Sequence, residues 1–218
     1  MEEKAEDILS KFKCIVEMYH IAKDVSLYSE EIDNSQKMNP QILNELRMGL
    51  DHLMRVLAVD LKIKNENDEY VRENINSCFN HIYRVGYDAL DWASLTLRSK
   101  IYDEINQFSN ETIISVIPDY YTKIQPEIEE MHKKISTIRY EKDVGHKNIE
   151  GFMDYAEKVK ILKGYYEDIL KKKPTLVGCE KKLRNEKRGE MIKQFIITGV
   201  VAGIVVVLLI KFIEIILK

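Results

Sequence analysis

Apolar residues recur along most of this chain at steps of three and four, the spacing that lines one side of an α-helix. Between Ala5 and about Ser29 the stripe is Ile8, Phe12, Ile15, Tyr19 and Ala22, with Lys11, Glu17 and Lys23 outside it. A polar run, residues 31–37, predicts a loop. Asn39-Pro40 then opens a second helix, because Asn caps a helix well and Pro suits a first position whose N–H has no intrahelical partner. Its predicted core stripe is Ile42, Leu46, Leu50, Leu53, Leu57 and Leu61, ending at Lys64–Asp68.

A third helix is expected from Glu69 to Phe108, bent near Gly86. Val71, Ile75, Cys78, Ile82, Ala89, Leu90, Leu97 and Ile101 form its apolar side, and Trp92 is expected in the core. Ser109 reads as a fresh cap for a short helix to Ile117. Pro118 opens or kinks a longer helix through Tyr140, with Ile124, Ile128, Met131, Ile135 and Ile138 as its seam. Gly145 marks a turn. A fifth long helix follows from Asn148 to Lys172, with Phe152, Tyr155, Val159, Leu162, Tyr166 and Ile169 facing in, and Lys173-Pro174 is expected to break it. No strand-like alternation competes. The fold class is therefore all-α: an antiparallel bundle of about five helices, followed by a single C-terminal transmembrane helix.

That last helix changes the picture most. From Gln194 to Ile210 there are 17 residues without a charge, a length of roughly 25 Å at 1.5 Å per residue. Lys211 can snorkel, and the apolar residues beyond it extend the span. The expected organisation is a helical bundle over 1–173, a basic juxtamembrane linker over 174–193 and a transmembrane tail anchor over 194–217. Gly199 and Gly203 form a G-x-x-x-G, the spacing that lets two helices pack closely in lipid.

Charge sharpens this division. The net charge of −3 conceals a split: residues 171–218 carry 11 Lys/Arg against 4 Asp/Glu, and the preceding 170 residues carry 22 against 32. An acidic domain argues against nucleic acid as a partner, because phosphate binding needs clustered cations. The basic collar includes Lys181, Lys182, Arg184, Lys187, Arg188 and Lys193, which are expected to contact lipid head groups. Positive charge on this side also predicts a cytoplasmic N-terminal domain. The acidic N-terminus does not read as a signal peptide, so a tail-anchored protein is expected. The Lys-, Ile- and Asn-rich composition suggests a bacterial source, and with it the inner membrane.

Candidate chemistry is sparse. Cys14, Cys78 and Cys179 are far apart with no C-x-x-C, and the five histidines show no metal spacing, so no metal or cofactor is expected. Tyr120-Tyr121 and Tyr165-Tyr166 each predict one ring packed inward and one meeting water. Glu129-Glu130 and Asp88/Asp91 are expected to find ordinary partners within one helical turn.

Arg47 and His52 form an Arg-x-x-x-x-His, which resembles the motif of the HEPN superfamily of small all-helical proteins. That resemblance implies a metal-independent ribonuclease of a toxin or antiviral system, with Arg47 and His52 acting at the RNA 2′-hydroxyl and scissile phosphate across a dimer. Met48 stands where the family commonly has a polar residue, and the motif falls early in the chain. Residues five apart on one helix point about 140° away from each other. The alternative is that Arg47, Asp51, His52 and Arg55 form a solvated polar face. The sequence therefore carries two functional expectations. The first is a membrane-anchored interaction, tethering or sensing module, whose partner is a protein or a second copy of the chain. The second is a HEPN-like nuclease or membrane-perturbing effector.

Overall fold

The computed structural model describes residues 2–33, 39–142 and 146–216. Among these there is no strand. The elements are α1 (Glu2–Ile32), α2 (Pro40–Asp60), α3 (Asp68–Ile105), α4 (Asn110–Val116), a π-helical turn (Tyr120–Ile124), α5 (Gln125–Tyr140) and α6 (Ile149–Ile216). Gly145 and most of the predicted polar loop lie outside the described residues. Three starts are capped by side chains, two of them, at Asn39 and Ser109, as read from the sequence. Asn39 accepts from the Gln41 N–H at 3.0 Å, with Pro40 inside the first turn. Asn67 accepts from the Tyr70 N–H at 2.9 Å, and Ser109 caps α4 through Thr112.

α3 is the axis of the molecule: α1, α2 and α6 all pack against it, and α4 and α5 pack on α6. Its buried residues fall on more than one side, so it is covered from several directions. Tyr83, Tyr87, Phe152 and Tyr155 form a fully buried aromatic centre between α3 and α6. Gly86, where a bend was expected, lies within the single helix α3. Its role is close approach: a Cβ there would meet the Phe152 ring at 2.5 Å.

Three further expectations are corrected. The α2 stripe mixes two faces. Ile42, Gly49 and Val56 are buried and Leu46 and Leu53 pack on the core, whereas Leu50, Leu57 and Leu61 face solvent. Trp92 is half-buried, its indole N–H directed at Asp33 at 3.4 Å. Tyr19 is exposed, and Met18 takes its place in the core.

The largest correction is at Pro174, which does not end the helix. α6 runs unbroken for 68 residues from the core through the basic collar into the apolar segment. Proline removes one backbone hydrogen bond and crowds the preceding turn. Tertiary contacts hold the helix together across it. Lys173 pairs with Glu104 at 2.6 Å, and Leu176 is fully buried. Residues 174–193, expected as a linker, are thus helical and partly docked. The transmembrane candidate is the distal part of α6, long and apolar enough to cross a bilayer and unburied by the rest of the chain. Phe195 is 81% exposed.

Candidate functional site

The docked part of α6 carries the most specific polar arrangement in the molecule. Lys173, Leu176, Glu180 and Lys187 recur at steps of three, four and seven, so one face of the helix meets the end of α3 and then α4. Glu180 Oε2 accepts three hydrogen bonds: from the Ser109 N–H at 3.0 Å, the Ser109 hydroxyl at 2.8 Å and the Thr112 hydroxyl at 2.7 Å. Arg184 donates to its other oxygen at 3.1 Å. These donors, led by the Ser109 backbone, hold the Glu180 carboxyl at about 2. In a capping box an acid three residues into the helix accepts from the cap residue's N–H. Here that position is Thr112, and the acid comes from α6 instead. Two helical turns further along, Lys187 pairs with Glu111.

This arrangement redistributes the predicted lipid-contacting residues. Arg184 is committed to Glu180, Lys187 to Glu111, and Lys182 lies 4.0 Å from Glu186. Lys181, Arg188 and Lys193 are exposed, with no ion-pair partner among the described residues. Beyond them Gly199 and Gly203 have nothing within 4 Å of a Cβ position, so the small-residue face of the apolar segment is open.

Arg47 and His52 are not brought together within the chain. Arg47 is exposed and donates to Asn44 Oδ1 at 3.0 Å. His52 is half-buried in the seam between α2 and α3. Its Nδ1 lies 2.9 Å from Asn74 Oδ1, and its ring stacks on His81 at 5.4 Å between centroids. His81 in turn meets Glu45 at 2.7 Å. His52 therefore leaves the predicted solvated face, while Asp51 and Arg55 remain on it as an exposed pair. Spacing along the chain gave no hint of the His52–His81 stack, because its members come from different helices. Among the described residues no three His, Cys, Asp or Glu side chains are placed to hold a metal ion.

The acidic pairs also divide. Glu130 pairs with Lys134 one turn away, as expected. Asp88 and Asp91 instead bind residues distant in sequence. Asp88 meets Lys142 at 3.1 Å, and Asp91 accepts from the Tyr155 hydroxyl at 2.7 Å and from Arg139 at 3.0 Å. Ser94, buried, lies 3.0 Å from the same Tyr155 hydroxyl. Burial, reinforced by Asp91, pushes the Tyr155 phenol well above its ordinary value, so it stays protonated. The network ties α3 to α5 and α6, an arrangement suited to holding helices in register. The tyrosine pairs behave as predicted: Tyr120 and Tyr166 are buried, Tyr121 is exposed, and half-buried Tyr165 donates to Glu127.

Among the clefts that flank α1 are two between it and its neighbouring helices. One, of about 520 Å³, lies between α1 and α6, is floored by Ala93 and is lined by Val25, Tyr28, Met153 and Val159. The other, of about 220 Å³, lies between α1 and α2 over Val85. Compared with known proteins, the chain matches no protein family, no curated sequence and no solved structure.

Proposed function

We propose that this protein is a membrane-tethered helical interaction module, held by the distal part of α6. The observation that carries the reading is the continuity of α6. One helix contributes Phe152, Tyr155 and Leu176 to the core, carries an exposed basic turn, and continues into an apolar segment of bilayer-spanning length. Lys187, the last docked residue, is seven residues from Gln194, about 10 Å along the helix. A domain attached this way stands close to the head groups and in a fixed orientation. Lys181, Arg188 and Lys193 sit where anionic lipids would meet them. Their charge, with the rest of the collar, favours a cytoplasmic domain.

The reading is non-enzymatic because the polar clusters at Glu180, Tyr155 and His52 join helices to one another. Membrane fractionation with carbonate extraction tests it. The full chain should remain in the membrane pellet, and 1–193 should move to the soluble fraction. A full chain released by carbonate would refute the tether. Topology follows from labelling: a cysteine after Lys218 should react with an impermeant thiol reagent added outside intact cells, and one near Asn34 should not.

A further inference from the structure

α2 is apolar on two sides, and only one of them is used. Its buried side is spoken for by α3. On the other lie Leu43, Leu50, Met54, Leu57 and Leu61, exposed by between 38% and 65%. Exposed Arg47 completes the row. The positions 43, 47, 50, 54, 57 and 61 advance by four, three, four, three and four. That is the 3.5-residue repeat of a coiled-coil seam, sustained from one end of α2 to the other. A helix serving only its own core has no need of this second stripe, and a patch of this kind marks an interaction surface.

We propose that this seam pairs antiparallel with the same seam of a second copy of the chain. The inference rests on the interaction-module reading and names its partner. Charge decides both the occupant and the direction. Among the described residues neither Arg47 nor Asp60 has an ion-pair partner, and Arg47 bonds only to the neutral Asn44 side chain. A parallel pair would set Arg47 against Arg47 in the middle of an apolar row. Run antiparallel about the level of His52, the row matches itself: Leu43 meets Leu61, Leu50 meets Met54, and Arg47 meets Leu57. Asp60 of the other copy is then three residues from Arg47 along the axis, about 4.5 Å, within reach of a guanidinium. The two-fold repeats this ion pair, so each copy supplies one Arg and one Asp. Such self-complementarity is what a symmetric dimer interface requires. A lone polar residue in the seam is also the device that fixes register in coiled coils.

The test uses the full chain in a mild non-ionic detergent, with light scattering after size exclusion at micromolar concentrations. The wild type should be a dimer. Leu50→Lys with Leu57→Lys should be monomeric, with unchanged helical circular dichroism because both sites are exposed. Arg47→Asp should weaken the dimer about tenfold, by placing two acids together twice, and adding Asp60→Arg should restore it. A monomeric wild type overturns the proposal. So does a dimer that survives the double lysine variant, including one that Gly199→Ile dissolves, since association would then reside in the apolar segment. An Arg47→Asp defect that Asp60→Arg does not repair overturns the antiparallel register. The tether reading fails separately, by carbonate extraction, whatever the oligomeric state.

Discussion

Glu180→Gln is the most direct probe of how the distal half of α6 is fixed to the domain. The wild-type carboxylate accepts three hydrogen bonds at the start of α4 and a fourth from Arg184. A hydrogen bond to a charged group contributes about 1.5–3 kcal/mol, against about 0.5–1.5 kcal/mol for a neutral one. Gln keeps the shape and part of the accepting capacity, but it turns an amide toward one set of donors. A loss of about 2 kcal/mol at neutral pH is expected. The pH dependence identifies the cause. The folded carboxyl sits at about 2, below its ordinary value of 4.5. Its contribution is therefore complete above 4.5 and is lost as pH falls through 2. The gap between wild type and Glu180→Gln should hold steady from pH 8 to pH 5 and shrink at lower pH. The single tryptophan, half-buried Trp92, reports unfolding of the domain without interference from the apolar segment. Urea titrations followed by its fluorescence, in detergent at several pH values, measure the gap. A difference below about 0.5 kcal/mol at pH 7, the range of an ordinary surface substitution, refutes the argument. A gap that persists unchanged below pH 3 refutes the electrostatic part of it.

Gly86→Ala should destabilise the domain by up to about 2 kcal/mol, because overpacking costs about 1–3 kcal/mol and the helix-propensity gain offsets about 1 kcal/mol of it; melting followed by circular dichroism decides this, and Phe152→Leu in the same chain should relieve it. His52→Ala, expected from sequence to be a silent surface change, should instead cost about 1–2 kcal/mol, since buried Asn74 loses a partner and His81 its stacked ring; an unchanged urea midpoint would return His52 to the solvated face. Truncation separates the two parts of α6. The 1–193 chain should fold with near wild-type stability, whereas 1–173 should be weaker by about 4 kcal/mol or more, having lost Leu176 and the Glu180 cap. Equal stability of the two truncations would show that residues 174–193 contribute nothing to the domain.

Local chemistry made much of this protein legible in its sequence. Asn39-Pro40 and Ser109 start helices because capping is settled within a few residues. The apolar run from Gln194 to Ile210 is read by length and composition alone. The inward face of α6 followed from its periodicity because Phe152, Tyr155, Val159, Leu162, Tyr166 and Ile169 recur at steps of three and four. α2 was different. Its apolar arc is wide enough to hold two stripes, and spacing cannot say which half meets α3. Only the packed structure assigned Ile42, Gly49 and Val56 inward and left Leu50, Leu57 and Leu61 outward.

Pro174 failed for the same kind of reason. Sequence rules price the lost backbone bond and the steric crowding, but they do not see Glu104, the Leu176 pocket or the α4 cap that Glu180 completes. Those partners lie about 70 residues away, Ser109 to Glu180 being separated by 71. The His52–His81 stack and the Tyr155–Asp91–Arg139 network are likewise invisible to any window along the chain. What the sequence determined by itself was the set of helices, most of their starts and the apolar segment, because these depend on neighbours three or four residues apart. What only the tertiary structure decided was which faces are used, which helix continues and which polar groups meet, because those depend on side chains that folding alone brings together.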